Sequence, residues 1–145
     1  MLVQTILQRK GSEVFTVGLE ATVEEAARVM NERNVGALVV MLGDAVAGIL
    51  SHREIVAGVA KHRRQLLALR VRELMRRDIV GVSPHEEVKT VMVLMTRHRT
   101  THVPVFASDR LAGIVSIGDV IKHRLEELEL EANVLRDAYI TTRGA

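Results

Sequence analysis

The sequence predicts a mixed α/β (α+β) fold: two copies of one short strand–helix–strand–strand unit, their small sheets packed around a pseudo-twofold axis, with flanking helices and a long C-terminal helix. Three observations carry this. The chain aligns with itself at an offset of 65 residues, placing 15–56 over 80–121 without a gap and with nine of 42 positions identical, where chance gives roughly two or three. Helical and strand periodicities alternate in the same order in both copies. With 145 residues and 48% apolar content, the chain has enough material for one core region, yet each copy alone is too small to bury its own strands.

Each copy has a short helical lead-in, because Val3–Lys10 aligns with Val71–Asp78 at an offset of 68. In residues 22–33, Val23, Ala26, Ala27 and Met30 share one helical face, and Thr22 with Glu25 has the spacing of a capping box. Val35–Leu42 and Val46–Leu50 are aliphatic runs parted by Gly43-Asp44, which predicts a hairpin. In the second copy the helix is Val88–Arg97, the strands are Val103–Ala107 and Leu111–Val115, and the turn is Ser108-Asp109-Arg110. Pro104 stands where the first copy has Val39 and predicts an edge strand or a nearby bulge, since proline donates nothing to a ladder. The implied segments are 1–60 for the first copy and its lead-in, 61–78 for the joint and second lead-in, 79–125 for the second copy, and 126–145 for the C-terminal helix and tail.

Composition removes several classes of function. There is no cysteine, which excludes disulfide scaffolds, iron–sulfur clusters, Cys-ligated zinc and thiol nucleophiles. Aromatic content is 2%, too low for the stacking platforms of single-strand binders. No run approaches the roughly 18 apolar residues of a membrane span, and no secretory leader is evident, so a soluble cytoplasmic protein is expected. His98 and His102 are four apart but run from a helix end into a strand, so no metal site is expected there. Neither a Ser-His-Asp constellation nor a P-loop is present, and an enzyme is not expected.

The chemistry repeated at matching places is a strand-to-helix junction: Ser51-His52-Arg53-Glu54 in the first copy and Ser116-Ile117-Gly118-Asp119 in the second. Ser-x-x-acid is the spacing of a capping box. It is also a way to present free N–H groups and a positive helix end to a phosphate, while a carboxylate accepts from a vicinal diol such as ribose. The two readings are compatible.

With both junctions and the Arg-Thr-Thr-His102-Val-Pro104-Val-Phe strand, the chain resembles a pair of CBS domains, a Bateman module, over residues 3–125. Ser116–Val120, the Glu-rich Glu126–Glu131 and the late Tyr139-Ile140 are similar to small stand-alone members. The resemblance implies a non-catalytic regulatory protein without covalent cofactor, taking AMP, ADP, ATP, S-adenosylmethionine or NAD(H) in clefts between the copies. It assigns Asp119 to the ribose hydroxyls, Ser116 to the ribose or phosphate, and Thr101, His102 and Pro104 to the strand lining the adenine or phosphate end. The first copy has Glu54 where the family usually has Asp, with His52 and Arg53 beside it. It also has Gly36, Ala37 and Val39 in the places of Thr101, His102 and Pro104. Unequal sites are expected, the Asp119 site being the stronger.

Two surfaces suggest partners. The joint holds Lys61, His62, Arg63 and Arg64, continued by Arg70, Arg72, Arg76 and Arg77; such runs are usually solvated, and nucleic acid is the alternative. Ile121, Leu125, Leu128, Ala132, Leu135 and Tyr139 repeat at coiled-coil spacing. That stripe either packs on the first copy or joins two chains into a homodimer, the assembly the resemblance implies; a ligand-free dimerisation scaffold with degenerate clefts is the other alternative function. The regulated protein is not named by the sequence.

Overall fold

The computed structural model describes residues 1–144. Helix α1 (Val3–Lys10) precedes strand β1 (Thr16–Gly18), helix α2 (Val23–Arg33), β2 (Ala37–Leu42), β3 (Ala45–Ser51) and α3 (His52–His62). A 3₁₀ turn (Arg63–Ala68) leads to α4 (Val71–Leu74), then α5 (Val88–His98), β4 (His102–Ala107), β5 (Arg110–Ser116) and the long α6 (Ile117–Gly144).

The repeat is kept at the level of register. Ala37 opposes Ser51 in the first hairpin and His102 opposes Ser116 in the second, and the ladder shifts after Val40 and after Val105, each 65 residues apart. Both long helices of the copies end on a left-handed residue, Asn34 (φ 53°) and Arg99 (φ 51°), which turns the chain into the following strand. Thr22 and Glu25 form the expected capping box, with Thr22 N–H donating to Glu25 Oε2 at 3.0 Å and Glu25 N–H donating to Thr22 Oγ1 at 3.2 Å. Ser108 and Asp109, both at positive φ (50° and 63°), make the second hairpin turn.

The copies differ at the third strand, and Pro104 supplies the reason. In the first copy β1 pairs in parallel with β2, and Val39 N–H donates to Phe15 O at 3.2 Å. Pro104, at the equivalent place, has no N–H to give Val80. The second sheet keeps two strands plus an isolated Val82–Val105 bridge, with Val82 N–H donating to Pro104 O at 3.1 Å.

The lead-in helices are exchanged. Val3 and Ile6 of α1, both 0% exposed, join Val88, Val91, Met95 and Val115 in the core of the second copy, whereas Val71 of α4 joins Ala26, Met30, Leu38, Val40 and Leu50 in the core of the first. Backbone bonds seat them in matching ways: Val3 N–H donates to Glu86 O at 2.9 Å and Val71 N–H to Ala21 O at 2.8 Å. Each copy is closed by the segment that introduces the other, so neither core is complete without both halves of the chain.

Helix α6 turns Val120 and His123 inward and leaves its stripe outside: Ile121, Leu125, Leu128, Leu135 and Tyr139 are between 44% and 72% exposed. Of the two roles the stripe had, packing on the first copy is therefore not adopted. Among the described residues no helix is long and apolar enough to cross a membrane.

Candidate functional site

The two junctions are built alike. His52 N–H donates to Gly36 O (3.1 Å) and Ile117 N–H to Thr101 O (2.8 Å), so in each copy the first helical residue is pinned to the carbonyl ahead of the neighbouring strand. The acids then fold back. Glu54 Oε1 accepts from Ser51 N–H (3.0 Å) and from the Ser51 hydroxyl (2.8 Å). Asp119 Oδ2 accepts from Ser116 N–H (2.9 Å), and Asp119 N–H donates to Ser116 Oγ (3.2 Å). Capping is thus real at both junctions, and it fixes the carboxylates beside the helix N-termini.

Two clefts result, each mixing the copies crosswise. In one, Ser51, Arg53 and Glu54 face Thr100, Thr101 and His102, with Arg76 and Arg99 also in the wall. In the other, Ser116, Ile114 and Lys10 face Gly36, Ala37 and Phe15. Thr101 lines the cleft of Glu54, while its carbonyl accepts from Ile117 N–H (2.8 Å) at the head of the Asp119 junction. Among the described residues only His102 borders both clefts. Pro104 is buried in β4 and lines neither of these two clefts, its effect being on the ladder described above. Ile117 and Gly118 are exposed at the start of α6, and a Cβ on Gly118 would lie 3.6 Å from Ser116 Oγ.

Lys10 is the residue that sequence reasoning missed. Its ammonium donates to Asp119 Oδ2 at 2.7 Å and to Ile114 O at 2.9 Å. Partial burial by itself raises the Asp119 carboxyl pKa, but the hydrogen bonds from Lys10 and Ser116 together with the Lys10 charge outweigh it and hold the carboxyl below its ordinary value. The counterpart in the other half is structural and has no signal in the sequence: Ile49, equivalent to Ile114, exchanges backbone bonds with Arg76 of the other lead-in (2.8 and 3.0 Å), although the offset of 68 places Lys10 over Asp78. Each lead-in therefore reaches the opposite junction, one through backbone and the other through a side chain.

The Glu54 cleft carries the cations instead. Arg53 donates to the Arg99 carbonyl, and Arg76 donates to His98 O at 3.0 Å with a loose approach to Asp78 at 3.8 Å. Glu54 Oε2 has no partner among the described residues. His102 sits between the clefts, its Nδ1 2.9 Å from Thr101 Oγ1 and its ring against Gly36, where a Cβ would meet it at 3.0 Å. Burial, then the charges of His52 and Lys10, lower the His102 pKa, with Asp119 opposing them weakly. Among the described residues no group of three or more His, Cys, Asp or Glu is placed to hold a metal ion.

Known proteins are similar to this chain in sequence and fold. A CBS-domain containing protein of Agrobacterium tumefaciens, solved by crystallography, is similar at 38% identity with a TM-score of 0.84, covering 86% of this chain and 99% of that one. The mitochondrial CBS domain-containing protein CBSX3 of Arabidopsis thaliana is 35% identical over 124 residues, which are 82% of this chain; the chain spans 60% of that relative's length. The CBS domain pair of the protein MJ0100, solved in complex with 5′-methylthioadenosine and S-adenosyl-L-methionine, shares the fold with a TM-score of 0.77 at 22% identity, over 88% of this chain and 98% of that one. The CBS domain itself matches residues 7–61 and again 71–126. With two matches, repeated register and paired crosswise clefts, the chain belongs to the CBS domain family as a tandem pair.

Proposed function

We propose that the protein is a non-catalytic regulatory module that binds an adenine nucleotide or another adenosyl compound, among AMP, ADP, ATP, NAD(H) and S-adenosylmethionine, in the clefts between its copies. The observation that carries this is the Glu54 cleft: a carboxylate oxygen without a partner at the N-terminus of α3, beside Thr100 and Thr101 and within a wall holding Arg53, Arg76 and Arg99. A ribose diol donates to such a carboxylate, and guanidinium groups with a helix N-terminus suit a phosphate. The adenosyl complex of the MJ0100 pair, which has the same fold, supports the ligand class.

The ranking of the clefts follows from Lys10. A ligand using Asp119 must first displace an ammonium held at 2.7 Å, whereas one using Glu54 displaces no cation. The Glu54 cleft is therefore the first to load, the reverse of the order expected from the longer acid and from Gly36, Ala37 and Val39 in the first copy. Regulation is exerted on a partner protein, with a second copy of the chain taken up at the outward stripe of α6.

The nucleic-acid alternative loses support over the second part of the basic joint, which is engaged within the chain, whereas Lys61, His62, Arg63 and Arg64 have no side-chain partner among the described residues. Arg70 donates to Glu20 O (2.9 Å), Arg72 pairs with Glu20 (3.5 Å), and Arg77 donates to Arg72 O (3.2 Å). Differential scanning fluorimetry with each adenosyl compound and with duplex DNA tests the reading. A rise in melting temperature with the former, lost in Glu54→Ala, is expected; a rise with DNA alone contradicts it.

A further inference from the structure

We infer that two copies of the chain pair through the outer part of their α6 helices as a parallel, in-register two-stranded coiled coil. The inference rests on the homodimer reading above and adds its geometry. The stripe points away from its own body along the helix: Val120 and His123 are inside, while Ile121, Leu125 and Leu128 are 44% to 55% exposed and the later Leu135 and Tyr139 are 72% and 59% exposed. Spacings of four and three place Leu125, Ala132 and Tyr139 at heptad position a, with Ile121, Leu128 and Leu135 at d. A strict 3.5-residue period matches another helix supercoiled in the same way, and this chain supplies one.

Charge chooses the second copy and its direction. The same heptad phase puts Arg124 and Glu131 at g, with Glu129 and Arg136 at e. In a parallel pair each g residue faces the e residue of the partner's next heptad. Glu131 then meets Arg136 of the partner subunit, and symmetry repeats the pair, while Arg124 at g is already held by Glu127 of its own chain at 2.8 Å. An antiparallel pair at full overlap sets g against g and e against e, so that Glu131 and Glu129 each face their own copy and Lys122 faces Arg136, all like charges. Glu129, Glu131 and Arg136 have no ion-pair or hydrogen-bond partner among the described residues, whereas the charges nearer the body are engaged, Arg9 with Glu126 at 2.7 Å and Arg124 with Glu127 at 2.8 Å.

Because the chain has no cysteine, single cysteines report on direction without background. Leu125→Cys and Tyr139→Cys, each oxidised alone in the full-length protein, are expected to give disulfide-linked dimers, and a mixture of the two variants is expected to give no mixed species. Mixed species without self-linked ones, or a dimer by light scattering whose single variants do not self-link, overturns the parallel geometry while leaving the homodimer. A monomer at high micromolar concentration overturns both. Glu131→Arg is expected to weaken the dimer at low salt, and Glu131→Arg combined with Arg136→Glu to restore it; absence of rescue contradicts the proposed charge pairing.

Discussion

Lys10 holds Asp119. The ammonium that ends α1 lies 2.7 Å from the carboxylate that begins α6, bridging 109 positions of sequence. The pair couples the first lead-in to the second junction, and α1 is tied further to α6 by Arg9 on Glu126.

Removing the ammonium should open that cleft. A partly exposed ion pair contributes on the order of 1 kcal/mol, so Lys10→Met is expected to tighten adenosyl binding at the Asp119 cleft about fivefold by calorimetry. In the unmodified chain, Asp119→Ala is expected to change affinity less than Glu54→Ala. Unchanged affinity in Lys10→Met would show that Lys10 does not compete.

His102 makes stability depend on pH. Burial and the neighbouring His52 and Lys10 lower its folded-state pKa, so the unfolded chain takes up a proton first on acidification. The stability from keeping the ring neutral is present above the unfolded value, about 6.5, and is lost as pH falls through the folded one. The melting temperature is expected to fall between pH 7.5 and 5.5, and His102→Gln to flatten that slope. A slope unchanged in the variant would place the effect elsewhere.

Two equivalent glycines should behave differently. A Cβ on Gly48 would meet the Arg76 carbonyl at 2.6 Å, which is backbone, whereas on Gly113 it would meet the Leu7 side chain at 2.7 Å. Overpacking against a fixed group destabilises by about 1–3 kcal/mol. Gly48→Ala is expected to fall in that range by urea unfolding, and Gly113→Ala below it. Equal losses would mean that Leu7 cannot yield.

The exchanged lead-in should be essential to the second copy. Ile6 is fully buried in that core, and truncating such a residue to Ala typically destabilises by about 2–5 kcal/mol. Ile6→Ala is expected to lose that much in urea unfolding and to raise amide exchange in β4 and β5 first; a loss under about 1 kcal/mol would contradict the packing.

Much of this was legible in the residues themselves. The 65-residue offset located both hairpins, both capped junctions and the difference caused by Pro104, because register and capping are local and repeat with the sequence. What escaped was long-range. Nothing in VQTILQRK says that it closes the far core, since an amphipathic helix shows which face it buries and not against what. The same blindness hid that Thr101 also lines the cleft of Glu54, 47 residues away in the other copy. The exchange of the lead-ins and the crosswise clefts are one fact, visible only when both halves are folded together.

The central claim is that an adenosyl ligand binds at the Glu54 cleft, and isothermal titration calorimetry of the purified full-length chain against AMP, ADP, ATP, NAD(H) and S-adenosylmethionine tests it most directly. At least one compound is expected to bind with a measurable heat that falls by about tenfold or more in affinity in Glu54→Ala, since hydrogen bonds to a charged group contribute roughly 1.5–3 kcal/mol. Affinity unchanged in Glu54→Ala, or no heat from any of the five at millimolar concentration, would contradict it.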